Sequence, residues 1–263
     1  YAFYLSCKKK GMKIKLNRDM YEVNRMHNGY MLNRTFGIPD SEVVHSNSCT
    51  VFITRLLRRF HPFGMVFQEI PMSYCPDVYK TKKPYIDAIF LHLSYFSEIE
   101  DIVRESFVFQ CIDERNKKIA DRMSSENSVS LHIRRGDYLN IPQYAVCDED
   151  YYTKAIEHIK LSVSSPKFYI FSDDPEWCKQ FIDGFDVEYE IISHNTGVDS
   201  YKDMYLMTQC RHNIIANSTF SWWGAWLNNN TDKIVVGPHP WVVGREYNPC
   251  LKSWFVIIPK SHN

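Results

Sequence analysis

The chain has 263 residues, 44% hydrophobic and 24% charged, and its 31 basic side chains balance its 31 acidic ones. That length and composition support a sizeable core and suit one large domain or two small ones. A zero net charge argues against a general nucleic-acid binder, so any anion must be met by a local cluster of cations. No apolar run approaches a membrane span, and the chain shows no signal-peptide pattern.

The first eleven residues, YAFYLSCKKKG, read as the latter part of a helix with lysines in its last turn and Gly11 as its stop. KIKLN (13–17) then reads as a strand. A helix that opens an α/β unit follows a strand and a loop, so residues upstream of Tyr1 are expected. Polar loop material follows around 24–40, with helical segments near 48–60 and 95–105. A domain boundary is placed at MSSEN (123–127). Beyond it strands and helices alternate. Strands are predicted at 129–133, 168–172, 187–192, 213–216 and 233–236. Helices are predicted at 151–161, 175–182, 200–210 and 221–228. Asp174 caps the second of these and Pro175 occupies its first position. This alternation predicts a parallel sheet covered on both faces, a Rossmann-like domain over about 125–240. Residues 1–124 form a separate N-terminal domain, and the tail 241–263 is expected to pack back on it.

The eight cysteines (7, 49, 75, 111, 147, 178, 210 and 250) form no C-x-x-C pair and no metal-ligand spacing. They read as reduced thiols of a cytosolic chain. Sequons at Asn33, Asn217 and Asn229 are short patterns that arise by chance outside a secretory context.

Ligands of open parallel sheets bind at the carboxyl ends of the strands, so the loops after them matter most. These are RRGDY, DDPE, HNTG and NSTFS. Arg134 and Arg135 suit a phosphate or diphosphate, because guanidinium forks match its oxygens and keep their charge. The alternative is a structural Arg–Asp pair. Neighbouring charges repel, so the two arginines should take different partners, with Asp137 orienting one. His132 is either a satisfied core histidine or a ligand contact. Asn217, Ser218, Thr219 and Ser221 sit at a helix start, where hydroxyls cap free amides and the amides can hold an anion. Trp222, Trp223 and Trp226 have the spacing of a packing face. Asp173 is left free to meet a ribose hydroxyl or a loop amide. Asp203 is a solvated helix carboxylate or a receptor for a base edge. Arg55, Arg58 and Arg59 read as a solvated helix face. P-loop, dinucleotide and nucleophile-elbow motifs are absent. No carboxylate cluster suits a divalent ion, so no metal site is expected.

HIRRGDY, FSDDP, DMYLM, NSTFSWWGAWL and VVGPHPW, in this order over about 129–241, resemble glycosyltransferase family 11, the α-1,2-fucosyltransferases, in its bacterial type. YAFYLSCKKKG resembles the helix after the family's Gly-Gly-Leu-Gly-Asn-Gln loop, and IEDIVRESFVF the segment before its second domain. The resemblance implies a GT-B-like α/β fold of two Rossmann-type domains with parallel sheets facing a cleft. It implies inverting transfer of L-fucose from GDP-fucose to the 2-hydroxyl of a galactose-containing acceptor, without an obligate metal or other cofactor. It further implies a cytoplasmic protein, at the inner face of a bacterial membrane through peripheral association.

Carried over by position, Arg134 meets the diphosphate and Asp137 holds the arginine loop; these two are the catalytic candidates. His132 lies near the guanosine, Asp203 accepts from the guanine edge and Asp173 lies near the nucleotide. Asn217, Ser218, Thr219 and Phe220 complete the donor site. Two departures stand out: the family's glycine-rich loop lies outside these 263 residues, and FLHLSYF (90–96) replaces a Trp-Gln-Ser-Glu-like stretch, which leaves acceptor identity open. The alternatives are a transferase for another nucleotide sugar and a non-catalytic nucleotide- or glycan-binding protein.

Overall fold

The computed structural model describes residues 1–19, 21, 28–44, 47–60, 64–70 and 72–259. The chain divides into two compact units, Tyr1–Cys111 and Ile112–Asn263.

In the first unit, α1 (Ala2–Lys9) is followed by Gly11 at φ +76, the left-handed stop its sequence predicts. The expected strand over 13–17 is reduced to one parallel bridge, Leu16 to Val43. Within the expected loop lies a short helix, α2 (Leu32–Phe36), which ends on left-handed Gly37. The rest of that loop falls partly outside the described residues. Helix α3 (Ser48–Phe60) forms as expected, and Arg55, Arg58 and Arg59 are all exposed. Strands β1 (Val66–Gln68) and β2 (Tyr85–Asp87) pair in parallel. Helix α4 (Glu100–Ser106) closes the unit after two turns of 3-10 helix. Phe3 stacks on Phe90, and Tyr95 meets both rings edge-on.

The second unit opens with α5 (Glu114–Ser125), capped by the Asp113 side chain. It continues through β3 (Ser128–Ile133), α6 (Glu149–Ser162), β4 (Lys167–Ser172), α7 (Pro175–Ile182) and β5 (Glu188–Ile192). Then come α8 (Tyr201–Gln209), β6 (His212–Ile214), α9 (Thr219–Leu227), β7 (Val235–Pro238) and β8 (Phe255–Ile257). The six strands form one parallel sheet in the order β5-β4-β3-β6-β7-β8. Counted within the unit this is 3-2-1-4-5-6, the doubly wound order.

Strand alternation sorts the two cores. Val129, Leu131, Ile133, Phe168 and Ile170 pack with Tyr151, Tyr152, Ala155, Ile156 and Ile159 of α6. On the other face Tyr169, Phe171 and Ile192 pack with Ile119, Ala120 and Met123 of α5 and with Leu206 and Met207 of α8. Each fully buried aliphatic side chain contributes about 1.5–3 kcal/mol.

Two expected boundaries shift. MSSEN contains the end of α5, and this helix buries Ile119, Ala120 and Met123 against the sheet, so the join lies at Cys111–Ile112. The tail supplies β8, which pairs with β7, so it completes the second unit's sheet.

Candidate active site

The order of the strands reverses between β3 and β6, where Leu131 pairs with Ile214. In such sheets this switch point is where a crevice opens at the carboxyl ends. RRGD leaves β3 here and NST leaves β6, so the fold brings together the two stretches that carry the sequence argument.

Arg134 lies between two carboxylates. Its Nη2 is 2.7 Å from Asp137 Oδ1 and its Nη1 is 3.0 Å from Asp173 Oδ2. A guanidinium has five N–H donors, so these contacts leave three for a ligand. The group also sits 5.4 Å over the Tyr138 ring. Arg135 turns the other way. Its Nε donates to Asp174 Oδ2 at 3.2 Å, and its guanidinium lies 4.0 Å over the Trp177 ring. Asp174 also caps α7 by accepting from the Trp177 N–H. The adjacent arginines therefore split as charge repulsion requires, with Arg135 tied to α7.

Asp173 takes the loop amide, one of the two partners the sequence leaves open to it. Its second oxygen accepts the Arg135 backbone N–H at 3.0 Å, so it clasps the RRGD turn from both sides. The turn needs Gly136, where a Cβ would fall 2.5 Å from Asp173 Oδ2.

On the β6 side the Asn217 side chain is fully engaged. It donates to the carbonyls of Tyr144 and Trp241, both at 3.0 Å, and accepts from the Cys147 thiol. It is 3% exposed. Its amide thus holds the surrounding loops. Its carbonyl accepts from the Tyr138 hydroxyl at 3.5 Å, which ties the β6 loop to the RRGD loop. Ser218 caps α9, accepting from the Phe220 N–H, while Thr219 stands exposed at the helix start. Trp222 and Trp226 are buried, and Trp222 donates to the Pro249 carbonyl. The anion-attracting end of α9 therefore opens at the switch point.

His132 is the last residue of β3 on the α5–α8 face. It is 7% exposed, its Nδ1 has no hydrogen-bond partner, and its ring lies 5.9 Å from that of Phe220. Burial, reinforced by the Arg134 charge, lowers its pKa to about 3 and keeps the imidazole neutral.

Asp203 stands on the first turn of α8, where Oδ1 accepts from Asn195 Nδ2 at 2.8 Å. Burial raises its pKa from 3.8 to about 7, opposed by that hydrogen bond. Asn195 in turn pairs with Asn116 of α5. Lys202 reaches Asp113 at 2.9 Å, and this bond with those from Asn116 holds the Asp113 carboxyl well below its ordinary range. The sequence reading took HNTG only as a lining loop and overlooked Asn116. The partners lie 79 residues apart and leave no periodic signal.

Among the described residues no group of three His, Cys, Asp or Glu side chains is placed to hold a metal ion. No described helix is long and apolar enough to cross a membrane.

A family model for glycosyl transferase family 11 matches residues 74–244. An alpha-1,2-colitosyltransferase of Escherichia coli is 30% identical over 97% of this chain and 92% of its own length. The O-antigen biosynthesis glycosyltransferase WbnK, also of Escherichia coli, is 42% identical over 49% of this chain and 44% of that protein. Human galactoside alpha-(1,2)-fucosyltransferase 1 is 35% identical over 38% of this chain and 28% of that protein. The matched stretch spans less than half of each of the last two proteins.

Proposed function

Because the chain belongs to glycosyl transferase family 11, we propose that it transfers L-fucose from GDP-fucose to the 2-hydroxyl of a galactosyl acceptor, with inversion and without an obligate metal. The observation that carries this reading is the meeting of RRGD and NST at the switch point of a doubly wound sheet. One loop offers a guanidinium with unused donors, the other the positive end of a helix.

In this reading the acceptor oxygen attacks the anomeric carbon as the bond to the diphosphate oxygen breaks. The electron pair stays on GDP, and the acceptor's hydroxyl proton is released. Negative charge grows on the diphosphate, facing Arg134 and the first amides of α9. A donor aimed at developing charge is worth about 2.7–4 kcal/mol in the transition state. Asp137 and Asp173 orient Arg134, and Asp203 accepts hydrogen bonds from the edge of the base. Guanine presents two neighbouring N–H groups to a carboxylate where uracil presents one.

A second donor follows from the relatives. One is named for colitosyl transfer and another for fucosyl transfer, and both names carry an alpha-1,2 linkage. GDP-colitose is therefore the competing donor.

The test begins with thermal shift against GDP, UDP, CDP and ADP, each in EDTA. A rise specific to GDP is expected, followed by transfer from GDP-fucose to galactosides in EDTA. Stabilisation by UDP alone overturns the guanine reading. Activity restored only by Mn²⁺ or Mg²⁺ overturns the metal-free one. Transfer from GDP-colitose but not from GDP-fucose reassigns the sugar.

A further inference from the structure

We propose that the Asn116–Asn195 amide pair is a positioning device for Asp203, fixing the carboxylate in the pose that discriminates guanine from pyrimidine bases. This rests on the reading that Asp203 meets the base.

The geometry is a closed circuit. Asn116 Nδ2 donates to Asn195 Oδ1 at 3.0 Å, and Asn195 Nδ2 donates back to Asn116 Oδ1 at 2.9 Å. The second hydrogen of Asn195 Nδ2 serves Asp203 Oδ1 at 2.8 Å. The second hydrogen of Asn116 Nδ2 serves Asp113 Oδ2 at 2.9 Å, and the Asn116 backbone N–H serves Asp113 Oδ1 at 3.0 Å. Asp113 is bridged to Lys202, the neighbour of Asp203 on α8. The circuit thus leaves α8 at Lys202, crosses α5, and returns to α8 at Asp203.

An amide can present oxygen or nitrogen to a neighbour by rotating half a turn. Here rotation of either asparagine would set N–H against N–H and oxygen against oxygen. Both are buried, 1% exposed at Asn116 and 7% at Asn195, so water cannot replace the lost bonds. Asn195 is therefore held as a donor toward Asp203. That bond takes one carboxylate oxygen and leaves Oδ2 without a protein partner among the described residues. A base that brings two adjacent N–H groups can use Oδ2 and share Oδ1. A base with one N–H gains less.

The surrounding charges are Asp113 at the cap of α5, Arg115 on α5, Glu190 on β5, His194 beside Asn195, and Asp199 and Lys202 around the start of α8. His194 Nε2 faces Asn116 Oδ1 at 3.2 Å. Helix α9, which packs on α8, carries no ionisable side chain. Asn195 is thus the polar group in direct contact with the carboxylate, and removing it should shift the pH at which Asp203 becomes charged.

The experiment measures GDP and UDP affinity by calorimetry from about pH 5 to about pH 8. It uses the whole chain and the variants Asn195→Ala, Asn195→Asp and Asp203→Asn. Dividing the GDP constant by the UDP constant cancels the titration of the shared diphosphate. In the parent this preference should rise as pH passes the Asp203 pKa. Asn195→Ala should lower it about tenfold near neutrality and move its midpoint upward, with UDP affinity unchanged. Asn195→Asp keeps the volume but sets a second carboxylate on Asp203, and should raise the midpoint by about a unit or more.

A folded Asn195→Ala protein with the parent's preference and midpoint overturns the positioning role, provided Asp203→Asn has abolished the preference. If the alanine variant does not fold, the aspartate profile decides alone, and an unshifted midpoint overturns the proposal. A preference that survives Asp203→Asn removes the base reading itself, and the positioning role with it.

Discussion

The loop after β3 displays its charge, whereas the loop after β6 buries its Asn217 amide. Arg134 keeps unused donors at the surface and is aimed by two carboxylates. Asn217 spends its whole amide on neighbouring loops and is buried. Both stretches have polar residues just past a strand, and the family resemblance assigns both to the ligand. The structure separates them by asking where each hydrogen bond goes. A polar residue with every group satisfied inside the protein acts on stability, and one with groups left over can act on a ligand.

Substitutions at the two loops should therefore fail differently. Arg134→Ala should lower turnover about 10²–10³-fold, with a melting temperature close to the parent's. Steady-state kinetics and thermal unfolding on the same sample measure both. Unchanged turnover would place the diphosphate elsewhere. Asn217→Ala should do the reverse. It strands the Tyr144 and Trp241 carbonyls and should cost about 3 kcal/mol of stability by urea unfolding, while protein that remains folded keeps its GDP affinity. A large loss of GDP affinity in a stable Asn217→Ala protein would restore that residue to the ligand site.

Gly136→Ala tests the link between aim and stability within the charged loop. The added methyl must displace Asp173, which holds both Arg134 and the Arg135 amide. A stability loss of about 1–2 kcal/mol is expected, with a fall in turnover smaller than that of Arg134→Ala. Full activity would show that Asp173 does not aim the arginine.

Short apolar stretches made β3 and β4 legible in the sequence, and Asp174-Pro175 marked the start of α7 to the residue. Helix α5 escaped because its stretch ERNKKIADRMSS buries only three apolar side chains, Ile119, Ala120 and Met123, in a polar run. Strand β8 escaped because it is three residues long and two of them are exposed. KIKLN had the alternation of a strand but makes one bridge, since pairing depends on a partner that pattern does not reveal. At the site, Arg134 and Asp137 were readable because they are neighbours in sequence. Asp173 was readable as a partner for a loop amide, but which loop was not, because 38 residues separate Arg135 from Asp173.

The smallest effect expected is a gain, at Asp203. An unfolded aspartate titrates near 3.8, and burial raises the folded value to about 7. Between these values the folded protein holds a proton that the unfolded chain has released. This group's contribution to stability is therefore fully present below the lower value, declines as pH rises toward 7, and is lost above it. Asp203→Asn stays neutral throughout and can still accept the Asn195 hydrogen bond. The variant should match the parent near pH 4 and exceed it near pH 8 by about 1 kcal/mol, a figure reduced for solvent around a partly exposed carboxyl. Thermal unfolding at the two pH values measures the difference. Equal curves at both would mean that Asp203 titrates normally. A stabilised protein that has also lost its preference for GDP would show that the carboxylate is kept at a cost to the fold because the ligand needs its charge.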